Sequence, residues 1–184
     1  MTQRSKIWLS SALVYAAFVF WYTDFSGPLS DAEVDQFVVT MTQNGSDPST
    51  VAYIETFLRN DSGRQFLMLN ALDMNDNPPD IEGAEPGESA QQLMDRYMEH
   101  MYPELFKRAS HPVIFGQAAY SALDIVGIKN APDMRVWTDG AIFRYRSRRT
   151  FMEIVADPDM LGRHEFKLAA LNKTIAYPIE TRIY

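Results

Sequence analysis

Residues 7–22 read IWLSSALVYAAFVFWY, sixteen positions without a charge. Such a run cannot face water on all sides, so whatever this chain folds into must supply a cover for it. As a helix it rises about 24 Å, a little under the roughly 30 Å hydrocarbon core of a bilayer. Arg4 and Lys6 precede it, Asp24 follows it, and Trp8, Trp21 and Tyr22 stand near its ends, where amphipathic rings favour the headgroup region. Cleavage after a signal peptide needs small residues, and Phe25-Ser26-Gly27 puts a bulky ring in that place. The expectation is therefore an uncleaved signal anchor: one single-pass transmembrane helix in the inner (cytoplasmic) membrane. The basic tip would stay in the cytoplasm and the C-terminal domain on the periplasmic or extracellular side.

Beyond the run the chain alternates helix and strand signals. Ser30-Asp31-Ala32-Glu33 is a capping box, and Val34, Phe37, Val38 and Met41 make one apolar face up to Asn44-Gly45. Asp47-Pro48 opens a second helix with Val51, Ile54, Phe57 and Leu58 as its stripe. Gln65–Leu72 is a nearly continuous apolar run, as a central strand requires. An acidic, proline-containing loop follows, and Ser89-Ala90-Gln91-Gln92 caps a helix with Leu93, Tyr97, Met101 and Leu105 at spacing four. Pro103 lies inside that helix and predicts a kink or an interruption. His111–Tyr120 and Val136–Arg146 read as strands joined by a long connection over Ser121–Arg135. Ser147 caps a helix that breaks at Asp157-Pro158 and resumes to Leu171, and Thr174–Thr181 is a last strand. Pro178 places this last strand at a sheet edge, because proline cannot donate to a ladder.

The order from residue 64 is β-α-β-β-α-β. It predicts an α+β, ferredoxin-like fold: a four-stranded antiparallel sheet with both helices on one face, preceded by a helical hairpin and the transmembrane helix. Three stretches follow: tip and anchor (1–25), linker and hairpin (26–62), and ferredoxin-like domain (63–184). The sheet's second face would be bare, and a homodimer pairing two such faces covers it most simply.

Charge is uneven. Residues 24–104 hold sixteen acids against three arginines, while 105–184 hold twelve basic and eight acidic groups, so the two halves attract. The net charge of −7 argues against a nucleic-acid partner, and the absence of cysteine excludes thiolate metal sites and a cysteine nucleophile.

The element order, the bare face, Phe143-Arg144-Tyr145-Arg146-Ser147-Arg148-Arg149 with Asp157-Pro158, and the later His164-Glu165-Phe166-Lys167, Ala169-Ala170-Leu171 and Lys173-Thr174 resemble the dimeric α+β barrel superfamily. Within it they are most similar to uncharacterised bacterial domains of unknown function. The resemblance covers about residues 64–184. It implies the fold and a sheet-to-sheet homodimer. The superfamily includes monooxygenases, haem enzymes and plain binding modules, so the resemblance implies no one reaction.

His164 is the catalytic candidate, by that resemblance and by its place near the start of a helix; His100 and His111 are the other two histidines. No pair of histidines has metal-ligand spacing, so no metal site is expected. Arg144, Arg146 and Arg148 alternate, and as part of a strand they would share one face, either binding an anion or pairing with the acidic half. Phe143 and Tyr145 would take the other face. Tyr97, Tyr102, Tyr120 and Trp137, with Met68, Met94, Met98 and Met101, are candidates to line an apolar cavity, and Asn70, at the end of the first strand, to orient a ligand there. Three functions remain open. The first is a membrane-anchored domain that binds or transforms a small, largely apolar molecule, with Arg144 and Arg146 holding a polar group. The second is a non-catalytic accessory subunit docked on a larger membrane protein complex. The third is a haem-binding protein with a histidine ligand; no other cofactor is expected.

Overall fold

The computed structural model describes residues 2–124 and 137–180. Four strands, β1 (Phe66–Met74), β2 (His111–Gln117), β3 (Asp139–Tyr145) and β4 (Leu171–Ile179), form one sheet in the order β2-β3-β1-β4. Every neighbouring pair is antiparallel. Six helices accompany it: α1 (Gln3–Tyr22), α2 (Asp31–Gln43), α3 (Pro48–Arg59), α4 (Ala90–Lys107), α5 (Arg148–Val155) and α6 (Pro158–Ala170). From β1 onward this is the expected ferredoxin-like order, with the second crossover helix divided at Asp157. β4 is an edge strand and carries Pro178, as its missing N–H demands. The connection read over 121–135 and the start read at Val136 lie largely outside the described residues; the described part of β3 begins at Asp139.

Local chemistry explains the helix starts. Ser30 and Ser89 each accept from the backbone three residues on, while Glu33 and Gln92 reach back, completing two capping boxes. Asp47 caps α3 and Ser147 caps α5. α4 is not interrupted at Pro103: it continues to Lys107, with Leu93, Met94, Met101 and Leu105 buried on either side of the proline and holding the helix in place.

One face of the sheet is packed. Phe66 of β1 stacks on Tyr145 of β3 at 5.2 Å, and the Phe151 ring stands edge-on to Tyr145 at 5.0 Å. Phe57 of α3 and Leu58 tie the α2–α3 hairpin to this centre through Phe151 and Met152 of α5. The hairpin therefore shares the core. Each ring buried here contributes on the order of 2–3 kcal/mol. Gly63 lets the loop before β1 press against the linker: it has φ +70°, and a Cβ there would meet the Gly27–Pro28 backbone at 2.7 Å.

The other face is open. Leu67, Leu69 and Ala71 of β1 lie on it by alternation, with Ile142 of β3 and Tyr177 of β4 opposite Leu69. Ile114 and Tyr177 are 59% and 48% exposed.

The transmembrane helix expected over residues 7–25 is corrected. No helix among the described residues is long and apolar enough to cross a membrane. α1 has 20 residues but includes Arg4, Lys6 and three serines, which leaves its apolar part short of the ~20 residues a span requires. Its last turn is also fastened to the sheet domain, as described below. The signal anchor, the inner-membrane placement and the periplasmic or extracellular domain fall with it. The membrane-complex reading loses the anchor on which it rested.

Candidate functional site

On the packed face, Asn70 of β1 sits between Ala141 of β3 and Ala176 of β4 on one rung. Two alanines beside it leave the sheet floor low. α4 brings Tyr97 and Met101 over this hollow. α6 brings His164 and Lys167, three residues apart on one helix face. The hairpin and α5 close the far side with Met41, Ile54, Phe151 and Ile154. The partly open cavity between them measures about 360 Å³. A smaller hollow of about 60 Å³ adjoins it toward Leu72, Met94, Met98 and Phe115. Asn70, Tyr97, Met101, Tyr145 and Lys167 line both.

Thr50 donates to Asp47 at 3.2 Å, but the polar ends contributed by the sheet, α4 and α6 have free hydrogen-bonding capacity among the described residues. Asn70 donates through Nδ2 to the Met68 and Ala141 carbonyls at 3.1 and 3.4 Å. Its Oδ1 accepts from no described residue. Neither do the Tyr97 and Tyr145 hydroxyls, the His164 ring nitrogens or Lys167 Nζ have a hydrogen-bond or ion-pair partner among the described residues. Lys167 Nζ stands 5.8 Å from the Tyr97 ring centre, and the His164 ring meets Tyr97 edge-on at 6.1 Å. No acidic residue lines either hollow.

Burial sets the protonation. It pushes the Tyr97 phenol up to about 12. It pushes Tyr145 further up, with the neighbouring Tyr97 adding to the effect. Both therefore remain donors at neutral pH. Burial lowers Lys167. His164, exposed on one side and lining the cavity on the other, is lowered by desolvation first and by the Lys167 charge second. It is a neutral base above its ordinary pKa of about 6.5.

Of the residues singled out from sequence, Asn70, Tyr97, His164, Met68 and Met101 meet at this cavity, and Met94 and Met98 at the smaller hollow. Others stand elsewhere. Trp137 lies under the Lys173 ammonium at 5.0 Å, Tyr120 is 79% exposed, and Tyr102 stacks on Phe106. The arginines serve the fold. β3 ends at Tyr145, so Arg146 and Arg148 leave the strand. Arg144 donates to the Tyr22 carbonyl at 2.8 Å, the Ala109 carbonyl at 2.6 Å and Gln65 Oε1 at 2.6 Å. Its guanidinium also lies 3.6 Å from the Tyr22 ring centre. Arg146 donates to the Phe20 and Thr23 carbonyls at 3.2 and 2.8 Å. Together they close the C-terminus of α1, whose last carbonyls have no partner in the helix. Arg148 and Arg149 take acids of the first half, as the charge division predicts: Asp61 at 3.5 Å, and Glu33 at 2.9 Å with Asp24 at 3.7 Å. Arg148 also pairs with Glu180 at 2.6 Å.

Sequence reasoning passed over Tyr145 and Lys167 as site residues. The signals for them were thin: Tyr145 alternates away from the arginines, and Lys167 follows His164 by three.

His100 and His111 are occupied. His100 contacts the Arg96 carbonyl through Nδ1 and Arg163 through Nε2, and His111 contacts the Pro112 carbonyl and the Tyr22 hydroxyl. Only His164 has ring nitrogens to offer a haem iron. The cavity beside it lies at the small end of ligand pockets and is bridged by Lys167 and Tyr97, which suits a compact molecule and does not fit a porphyrin. Among the described residues no cluster of three or more His, Asp or Glu side chains could hold a metal.

No family model matches the sequence, and no curated protein does. Solved structures do. A protein of unknown function from Rhodopseudomonas palustris is 19% identical, with 75% of this chain and 95% of that one aligned at a TM-score of 0.57. The methylated form of the same protein aligns over 74% and 93% at 0.59, also at 19% identity. A dimeric ferredoxin-like protein of unknown function from Jannaschia is 16% identical, over 64% and 99%, with a TM-score of 0.33. The likeness to the first two is a likeness of fold.

Proposed function

We propose that the chain binds a small, largely apolar molecule carrying an oxygen function, in the cavity between the sheet, α4, α6 and the helical hairpin. One observation carries this reading. Five polar side-chain ends, Asn70 Oδ1 and those of Tyr97, Tyr145, His164 and Lys167, lie without partners among the described residues on a wall otherwise made mostly of methionine, aliphatic and phenylalanine side chains, with Ser46 and Thr50 at the hairpin. The Tyr97 and Tyr145 phenols face the hollow with their donors unspent on described residues, so a ligand oxygen can accept from both. His164, neutral at the rim, is the group to take up or return a proton if the bound molecule is transformed. Asn70 Oδ1 accepts from a ligand hydroxyl or amide.

Ligand-detected NMR of the full chain with a library of small aromatic and aliphatic compounds tests this. Binders are expected on the wild type and lost in Ala176→Leu, which fills the hollow beside Asn70. A wild type that binds nothing, or an A176L protein that binds equally well, overturns the reading.

The open sheet face supports a second copy of this chain as partner. Ala71, Gly116 and Gly140 keep that face flat, Leu69, Ile114 and Ile142 keep it apolar, and the root of α1 adjoins it at Arg144. One two-fold contact covers both. Native mass spectrometry is expected to give a dimer that Ile142→Asp dissociates; a wild-type monomer removes the paired-sheet argument.

A further inference from the structure

Charge and donors around the cavity specify its occupant more narrowly. The chain carries 24 acidic groups against 17 lysines and arginines, yet no acid lines either hollow. The titratable groups there are two phenols, one imidazole and one ammonium. Two other lysines stand beside acids, Lys107 at 3.8 Å from Glu104 and Lys173 at 3.9 Å from Asp73, and Lys6, which has no such pair, is exposed to water. Lys167 has none among the described residues, although it is more enclosed than Lys107. An enclosed cation without a counter-ion is costly, and an anion entering the cavity removes that cost. The Tyr97 and Tyr145 hydroxyls and Lys167 Nζ are all donors at neutral pH, and two oxygens of one carboxylate can accept from all three. The remaining wall, with Met68, Met101, Ile154 and Met160, receives an apolar body.

We propose that the ligand is a small apolar monocarboxylic acid, held by Lys167 as its counter-ion with the two phenols on its oxygens. This rests on the cavity reading above and names the ligand class for it. The cavity's size limits the acid to one ring or a short chain.

Isothermal titration of the full chain at pH 7 with phenylacetate and hexanoate, each beside its methyl ester, tests the assignment. The acids are expected to bind about tenfold or more tightly than the esters, because charge-assisted hydrogen bonds to Lys167 exist only for the anion. In Lys167→Met, with unchanged circular dichroism, that preference disappears and the ester binds at least as well as the acid. Esters matching acids on the wild type overturn the carboxylate and leave the cavity reading standing. A preference that survives in K167M overturns the role of Lys167. If neither acid nor ester binds the wild type, the carboxylate assignment falls, and the library experiment decides whether the cavity reading falls with it. Should K167M fail to fold, the acid-against-ester ratio on the wild type decides alone.

Discussion

Arg144, Arg146, Arg148 and Arg149 stand within six residues of one another, and each is taken up by the fold, through helix-end carbonyls or through carboxylates. Tyr97, Tyr145, His164 and Lys167 surround one cavity, and none has such a partner among the described residues. Both groups are polar side chains at least partly withdrawn from water, His164 the least. The arginines spend most of their donors on the chain itself, with Arg146 Nε and Arg148 Nε buried without a hydrogen bond, whereas the cavity groups spend none on described residues. Removing a partnered group should cost stability, and removing an unpartnered one should cost binding.

The largest effect should come from Arg148. Its side chain is 8% exposed, and Arg148→Met leaves Asp61, 2% exposed, without its cation. Urea unfolding should report a loss of about 3–5 kcal/mol. A smaller value would mean that water reaches Asp61 and that the arginines are less committed than their contacts imply.

Arg144→Met should cost about 1–3 kcal/mol, because the Ala109 and Tyr22 carbonyls each lose a charged donor. Amide exchange should quicken in the last turn of α1 before it does in β1. Uniform quickening would contradict the view that Arg144 fastens this helix end.

Tyr145→Phe sharpens the contrast from the other side. Its hydroxyl has no partner to lose, so stability should change by less than about 1 kcal/mol while binding of the cavity's ligand weakens about fivefold. A large loss of stability would place Tyr145 with the arginines.

The smallest effect concerns acid. Arg149, and then the Ser30 backbone and hydroxyl, hold the Glu33 carboxyl down to about 2 from a usual value of 4.5. A group whose folded pKa is depressed stabilises above its unfolded value and loses that contribution as pH falls toward the folded one. Glu33→Gln should therefore be slightly less stable at pH 7 and should lose less stability than wild type between pH 5 and 2, read by thermal melting. Parallel melting curves for the two proteins would remove Glu33 from the acid response. His164 shifts stability in the same direction over a higher window. Its lowered pKa means that the unfolded chain binds more protons just below pH 6.5, so stability falls there as pH falls.

Much of the architecture was legible because it was written locally. Ser30–Glu33 and Ser89–Gln92 announce helix starts within four residues, and Pro178 announces an edge strand by itself. The uncharged run at residues 7–22 was legible only as a need for cover. Absence of charge does not name the cover, and an otherwise suitable length pointed to lipid. The arginine alternation misled for a related reason. It needed the arginines to share a strand, whereas β3 ends at Tyr145 and Ser147 already caps α5. The acceptors that Arg144 and Arg146 find on α1 are main-chain carbonyls more than a hundred positions away, which have no sequence signature. Half of the cavity was legible, since Asn70, Tyr97 and His164 are unusual where they stand. Lys167 was not, because a lysine on an amphipathic helix reads as surface until the helix packed above it is known.

The clasp on α1 has a consequence for how this chain can vary. Arg146 grips the carbonyl oxygens of Phe20 and Thr23 and touches neither side chain through those bonds. Every amino acid supplies the same carbonyl. Positions 20 and 23 are thus free to drift without loosening the joint, while the arginine that holds them is not. Two homologues could present quite different helix surfaces on an identical hinge point, and so acquire different neighbours while leaving the rest of the molecule unchanged.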